Sequence, residues 1–154
     1  MTIEELTYDK FDLVKKDIEK FMRETEKINF PENHIKESYF AKKLDDISNF
    51  LIDGSAIVFI AKSDTKLLGW IWCYEIHRFD SRRLHVTSFA VDESTRGKGV
   101  GSALLNKAER YAVENNFDCL DLIATKTNNS AVNFYKNHGF EVERYLMRKI
   151  RKES

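Results

Sequence analysis

Residues 96–101 read Arg-Gly-Lys-Gly-Val-Gly and lead directly into the helical run Ser102–Glu109. Three glycines and two cations therefore stand where an extended segment gives way to a helix. Glycine reaches positive φ at little cost and carries no Cβ that would keep a ligand away from the backbone. The helix start adds N–H groups without intrahelical partners and the positive end of the helix dipole. The stretch predicts a loop that cradles an anion of the diphosphate type.

The residues around this loop support that interpretation. Residues 84–91, Leu-His-Val-Thr-Ser-Phe-Ala-Val, are rich in β-branched and aromatic side chains and predict a strand, and residues 92–95 form a short polar turn. The loop lacks the Gly-Lys-Ser/Thr ending of a P-loop, and its glycines do not have the spacing of a dinucleotide-binding fingerprint. A helix start without a ligand would account for one glycine and hardly for three. A nucleotide-binding domain and a ligand-free loop are the weaker interpretations.

Two segments of the chain together resemble a known family. Arg-x-x-Gly-x-Gly at residues 96–101, after a strand that ends in Ala-Val-Asp, looks like the acetyl-CoA loop of the GNAT N-acetyltransferase superfamily. Residues 128–140, Asn-Asn-Ser-Ala-Val-Asn-Phe-Tyr-Lys-Asn-His-Gly-Phe, match that family's Asn-x-x-Ala-x-x-x-Tyr and its closing Gly-Phe. The two motifs occur in the family's order and at its usual separation, so chance is a poor explanation.

The pattern of apolar residues predicts the element order β-α-α-β-β-β-α-β-α-β. A first strand over residues 2–7 precedes two amphipathic helices, the second of which ends at Asp53-Gly54, and residues 140–150 form a final strand or hairpin piece. This order agrees with the GNAT fold, an α/β fold with a mixed, mostly antiparallel central sheet, splayed strands and helices on both faces. We expect a single GNAT-type domain over residues 1–154.

The resemblance implies coenzyme A as the ligand of the loop, where the residues alone indicate only an anion. Arg96 and the loop N–H groups would hold the diphosphate, and the pantetheine arm would pair with the end of the preceding strand. Lys98 is equally well interpreted as a phosphate contact or as a surface lysine. The expected cofactor-binding residues are Phe89, Ala90, Val91, Arg96, Gly97, Lys98, Gly99, Val100, Gly101, Ser102, Asn128 and Tyr135.

Tyr135 and Asn128 belong to the second motif. By the resemblance, Tyr135 is the tyrosine near the thioester sulfur that acts as general acid, since a nearby phenol can donate to the departing thiolate. Spacing alone would make Tyr135 a core aromatic beside Phe134. Asn128 is either a cofactor contact or the cap of the following helix.

His85 is the first candidate for the base that deprotonates the attacking amine. A lysine-like amine has a pKa of about 10.4 and arrives protonated, so a group that titrates near neutrality is suited to remove the proton. A histidine or glutamate at this strand position fills that role in some GNAT enzymes, and a packed strand histidine is the alternative. Glu75 is the competing candidate and would act through a water; the alternative is a solvated strand terminus. Alternation places Glu75 on the face opposite Trp70, Trp72 and Tyr74.

The composition of the 154-residue chain limits the classes of partner. Lysine plus arginine equals aspartate plus glutamate at 25 each, so no net field favours nucleic acid or a membrane. There is no apolar run of transmembrane length, and the acidic residues 1–5 do not resemble a signal peptide, so we expect a cytoplasmic protein. Cys73 and Cys119 are expected to be reduced and packed, and no Cys/His spacing predicts a metal site.

The function implied is transfer of the acetyl group of acetyl-CoA, a cosubstrate, to a primary amine by direct attack in a ternary complex. The alternative is a catalytically silent acyl-CoA-binding or regulatory module. The fold does not name the acceptor, so a small-molecule amine and a peptide or protein amine both stay open. The aromatic residues Trp70, Trp72, Tyr74 and Phe79 either line an amine pocket or pack in the core. Edge pairing of the final strand would offer a route to a homodimer.

Overall fold

The structure is a computed structural model that describes residues 1–153. Its elements are β1 Thr2–Glu5, α1 Tyr8–Asn29, α2 Glu37–Asp53, β2 Ile57–Lys62, β3 Leu67–Arg78, β4 Ser81–Val91, α3 Val100–Glu114, β5 Cys119–Leu122 and α4 Asn129–Asn137. A 3₁₀ turn, Glu93–Thr95, precedes α3. The chain divides into two compact units, Met1–Ile123 and the residues from Ala124 onward.

A five-stranded sheet in the order β1-β2-β3-β4-β5 organises the first unit. The pairs β1/β2, β2/β3 and β3/β4 are antiparallel, and β4/β5 is parallel. The predicted mixed, mostly antiparallel sheet is confirmed. The β4/β5 ladder covers only Arg83–Val86 and Cys119–Leu122, so residues 87–91 extend beyond it. This is the splay that the fold class implies.

One face of the sheet is covered by α1 and α2. The apolar residues of both helices recur every three or four positions, which gives each helix one buried stripe, as the sequence predicts. The stripes pack on side chains from alternate positions of β2 and β3. The buried cluster contains Leu6, Phe11, Ile18, Phe21, Met22, Phe40, Leu44, Ile47, Val58, Ile60, Trp70 and Trp72.

The other face of the sheet carries α3, whose buried stripe includes Leu104, Leu105 and Ala108. Gly69 of β3 lies under this helix. A Cβ added to Gly69 would stand 2.8 Å from the Ala90 carbonyl oxygen and 3.1 Å from Cδ1 of Leu104. The close approach of β3 to the end of β4 therefore depends on the missing side chain.

The replacement Gly69→Ala is expected to lower the free energy of unfolding by about 1–3 kcal/mol, the usual range for overpacking. The added methyl would press on a backbone oxygen, which cannot rotate away as a side chain does. A urea titration followed by far-UV circular dichroism measures the change. If the urea concentration at the midpoint and the slope of the transition are both unchanged, the Ala90 carbonyl moves aside without cost and the prediction is wrong.

The hairpin between β3 and β4 is tighter than the sequence predicts. Residues 78–83, Arg-Phe-Asp-Ser-Arg-Arg, are polar enough to predict a loop of that length, whereas Arg78 pairs with Ser81 and only Phe79 and Asp80 lie between the strands. Both have positive φ, 51° and 60°, the signature of a type I′ turn. Such turns are normally signalled by Asn-Gly or Asp-Gly, and this one contains no glycine.

The predicted final strand over residues 140–150 is wrong for the described part of the chain, because residues 140–153 form neither helix nor strand. A β-rich composition supplies no ladder hydrogen bonds without a partner strand. The apolar side chains Val142, Tyr145, Leu146, Met147 and Ile150 are exposed. The homodimer proposed through that strand therefore loses its structural basis and stays a prediction.

Candidate active site

The glycine loop has the conformation that its composition predicts. Gly97 and Gly99 have φ of 79° and 82°, and α3 begins immediately after Gly99. A Cβ built on either residue would meet no atom within 4 Å, so the space above the backbone is open. The N–H of Lys98 donates to the Thr95 carbonyl at 3.2 Å and belongs to the turn. The geometry suits an anion held by glycine N–H groups and the first turn of α3.

Asp92 fixes the point from which this loop departs. Its N–H donates to the Leu68 carbonyl at 2.7 Å, and its Oδ1 accepts the Ser94 N–H at 2.9 Å. Lys66 adds an ion pair at 3.3 Å. Hydrogen bonds from the Ser94 hydroxyl and N–H lower the pKa of Asp92 to about 2. Asp92 is not among the site residues predicted from the sequence, although Asp-x-Ser before a glycine loop is a recognisable turn signal.

The end of β4 holds Phe89, Ala90 and Val91, which pair with β3 opposite Ile71, Trp70 and Gly69. Between Val86 and Ser88 the register shifts, because Cys73 pairs with Val86 and Trp72 with Ser88. Thr87 is therefore an extra residue in β4. A bulge of this kind bends its strand and strengthens the local twist. It lies directly after the last β4/β5 pair, Val86 and Leu122, where the two strands part.

His85 lies on the same face of the sheet as α1 and α2, since it pairs with Tyr74, which alternates with Trp70 and Trp72. Its ring packs against the Tyr74 ring at 5.2 Å between centroids. Its Nδ1 is 2.6 Å from Oδ1 of Asp121, the residue that faces it across the parallel ladder. Nη1 of Arg83 is 3.3 Å from Oδ2 of the same carboxylate. Asp121 is not among the site residues predicted from the sequence, because no local pattern links it to His85.

Glu75 lies on the opposite face, as alternation predicts, and both oxygens of its carboxylate have hydrogen-bond partners. Arg82 donates through Nε at 2.9 Å and Nη2 at 2.7 Å to Oε1, and Nε2 of His77 is 2.7 Å from Oε2. The hydrogen bonds from Arg82, then those from His77, lower the pKa of Glu75. The Arg82 guanidinium also stacks 4.0 Å from the centre of the Phe117 ring. Glu75 and His85 are therefore separated by the thickness of the sheet.

A small pocket lies between α1, α2 and the sheet, on the face that carries His85. Tyr39 donates its hydroxyl to Oε1 of Glu26 at 3.2 Å, and burial, followed by the Glu26 charge, raises the pKa of Tyr39 to about 12. Trp70 and Trp72 are 1% and 5% exposed and belong to the core, although Trp70 also reaches the pocket wall. The lining residues are Met22, Thr25, Glu26, Tyr39, Lys43, Trp70 and Ser88.

The second motif forms α4, the helix of the C-terminal unit. Asn128 caps α4 by accepting the Ala131 N–H at 3.2 Å, one of the two predicted roles. Gly139, which has a φ of 88°, follows the end of the helix. The ring of Phe140 packs on the ring of Tyr135, with 5.6 Å between the two ring centres. Burial raises the pKa of Tyr135 to about 12, so the phenol keeps its proton throughout the neutral range.

Both cysteines are free thiols, and burial raises the pKa of Cys73 to about 12, which does not suit a nucleophile. Within residues 1–153, no three His, Cys, Asp or Glu side chains gather as a metal site would require. No helix in the same range is both long and apolar enough to cross a bilayer.

Comparisons with known proteins agree with this fold. N-alpha-acetyltransferase 30 of Xenopus laevis is 33% identical over 100 residues, which are 64% of this chain and 37% of that protein. Streptothricin acetyltransferase A of Bacillus subtilis is 46% identical over 55 residues, 36% of this chain and 32% of that protein. The matched part spans about a third of the length of the curated relatives, 37%, 38% and 28% in three of them.

Solved structures match over nearly the whole chain. A probable acetyltransferase superposes with a TM-score of 0.77 over 100% of this chain and 99% of that one, at 20% identity. An aminoglycoside acetyltransferase from a soil metagenomic sample superposes with a TM-score of 0.70 over 99% of this chain and 96% of that one, at 19% identity. These likenesses concern the fold. The model of the family described as "Acetyltransferase (GNAT) family" matches residues 19–140. This match covers most of the sequence, and the chain belongs to the GNAT acetyltransferase family.

Proposed function

We propose that the protein is an N-acetyltransferase that moves the acetyl group of acetyl-CoA to a primary amine by direct attack in a ternary complex. The observation that carries the proposal is the glycine loop: two left-handed glycines with open space above them stand at the start of α3. Arg96 and the N–H groups of Gly97, Gly99, Val100 and Gly101 would hold the diphosphate of coenzyme A, with Lys98 and Ser102 beside them. Phe89, Ala90 and Val91 would pair with the pantetheine arm.

His85 is proposed as the base. Its Nδ1 is committed to Asp121, so Nε2 is the nitrogen left to take the amine proton. The amine nitrogen then bonds to the acetyl carbon, the C–S bond breaks, and the sulfur leaves as a thiolate. A backbone N–H near Ala90 or Val91 would stabilise the intermediate oxyanion. Glu75 is the weaker candidate because Arg82 and His77 stabilise its charged form and it lies on the other face.

Tyr135 is proposed to donate its hydroxyl hydrogen to the departing thiolate. The thiol of coenzyme A resembles that of cysteine, with a pKa of about 8.5, whereas the pKa of Tyr135 is about 12. Full proton transfer from Tyr135 to the thiolate is therefore uphill. A hydrogen bond to the growing negative charge is the more effective contribution.

The replacement Tyr135→Phe is expected to lower kcat by about 10–100-fold, less than full general-acid catalysis contributes, because Tyr135 supplies a hydrogen bond and not a transferred proton. Because burial keeps the phenol protonated, the factor should be the same at about pH 7 and about pH 9. Tyr145→Phe is the matched control, since Tyr145 lies in the same unit and is 82% exposed. An unaltered kcat in the Tyr135 variant with intact acetyl-CoA binding would remove this step.

The pocket beside α1 and α2 does not by itself define the acceptor. Glu26 places a carboxylate on its wall, and Trp70 and Tyr39 add aromatic surface. However, the cavity of about 20 Å³ admits only a water-sized molecule, and Nζ of Lys43 already lies 5.5 Å from the centre of the Tyr39 ring. The names of the relatives point to two acceptor classes, the N-terminal α-amine of a polypeptide and an amine of an antibiotic. We propose a peptide or small-molecule amine as the acceptor.

The deciding experiment follows coenzyme A release from acetyl-CoA with a thiol reagent over a panel of short peptides, polyamines, amino sugars and amino acids. Turnover with one class supports the proposal and identifies the acceptor. Tight acetyl-CoA binding without turnover across the panel favours the silent acyl-CoA-binding module. Absence of acetyl-CoA binding would contradict the assignment of the glycine loop.

A further inference from the structure

We propose that Asp121 is a positioning residue that fixes the tautomer and the orientation of the His85 ring. The role rests on the proposed function, in which His85 accepts the amine proton. Asp121 touches neither acceptor nor acetyl group in this scheme and acts through the histidine.

The sheet itself brings the two side chains together. His85 and Asp121 are register partners on the parallel strands β4 and β5, so their side chains emerge on the same face. The His85 and Asp121 side chains are 14% and 17% exposed. A contact of 2.6 Å between Nδ1 and Oδ1 in such a sheltered place is a strong hydrogen bond.

The carboxylate decides which ring nitrogen carries the proton. A carboxylate only accepts hydrogen bonds, so the neutral imidazole must donate from Nδ1 and present a bare lone pair at Nε2. Tyr74 packs on the ring and restricts its rotation. A histidine held in this way is ready to accept a proton at Nε2 before the substrate arrives.

Arg83 makes the carboxylate hard to replace. Its Nη1 donates to Oδ2 of Asp121 at 3.3 Å, and a guanidinium offers donors only. In Asp121→Asn the amide oxygen would turn toward Arg83 and the amide nitrogen toward Nδ1 of His85. That arrangement requires a bare Nδ1 and moves the proton to Nε2. The variant would then present a donor where the reaction needs an acceptor.

The tautomer is measured directly by long-range ¹H–¹⁵N correlation spectra of ¹⁵N-histidine-labelled protein, with His85→Gln used to assign the signals. At a pH where the ring is neutral, wild type is expected to carry the proton on Nδ1, and Asp121→Asn on Nε2. Asp118→Asn is the matched control, because it removes the same charge from the start of β5, where Asp118 binds the Arg82 N–H. A wild-type ring protonated on Nε2 would overturn the proposal.

Kinetics then separate a positioning role from a structural one. Asp121→Asn should lower kcat by about a hundredfold with unchanged acetyl-CoA affinity, whereas Asp118→Asn should not. In the His85→Gln background the same change should cost almost nothing, because the residue acts only through the histidine. Equal losses in both backgrounds would overturn the proposal. The tautomer measurement needs no acceptor, so it judges Asp121 even if the amine panel contradicts the proposed function.

Discussion

Replacing His85 by glutamine is expected to lower kcat by about a hundredfold or more, the usual contribution of a positioned base, while the affinity for acetyl-CoA stays unchanged. Glutamine keeps the polarity and approximate length of the side chain but accepts no proton at neutral pH. The loss should shrink with acceptor amines of low basicity, because these arrive uncharged and need less help. Steady-state kinetics with a peptide acceptor and calorimetric titration of acetyl-CoA measure both quantities.

The comparison with Glu75→Gln separates the two candidate bases. Glu75 is held by Arg82 and His77 on the far face of the sheet, so its removal should affect folding more than turnover. We expect a slightly lower melting temperature and a kcat close to that of wild type. A large loss of kcat in Glu75→Gln together with a small loss in His85→Gln would reverse the assignment.

The replacement Gly99→Val is expected to weaken acetyl-CoA binding by about a hundredfold. Gly99 has φ of 82°, a conformation that a β-branched residue adopts only with strain, and the space above it is open. An isopropyl group there would fill that space and hold a phosphate away from the loop N–H groups. A hundredfold loss corresponds to about 2.7 kcal/mol, the worth of one or two hydrogen bonds to a charged group.

Gly54→Val is a close control for this experiment. Gly54 ends α2 with φ 80° and ψ 5°, and Gly99 precedes α3 with φ 82° and ψ 6°. A Cβ on Gly54 also meets no atom within 4 Å. The two variants should therefore lose similar stability in a urea titration, and only Gly99→Val should lose acetyl-CoA affinity. Equal affinity losses would mean that strain, not the loop's contact with ligand, is responsible.

The features that local sequence predicts well are those set by periodicity and by glycine. The buried stripes of α1 and α2, the end of α2 at Gly54 and the glycine loop all follow from residues within a few positions of one another. The face of Glu75 follows from strict alternation along β3. Such local rules need no knowledge of which strands are neighbours.

The features that the sequence hides depend on distant residues or on strained backbone. His85 and Asp121 are 36 positions apart and meet only because β5 pairs with β4 in one register. The turn at Phe79 and Asp80 uses positive φ without glycine, so the usual hairpin signal is missing. The segment after Gly139 has a strand-like composition, and composition alone does not provide the partner that a strand needs.

Because of the bulge at Thr87, the bend of β4 away from β5 and the pairing of β4 with β3 are independent of each other. Removing Thr87 would leave His85 opposite Tyr74 and Ser88 opposite Trp72, because both pairings lie outside the extra residue. Only the bend where β4 leaves β5 would be lost. The number of residues in β4 therefore sets how far β4 diverges from β5. The identity of those residues sets which side chains lie beside the gap between the two strands. A single insertion or deletion at Thr87 is therefore expected to change the separation of β4 and β5 without moving His85 from its position opposite Tyr74.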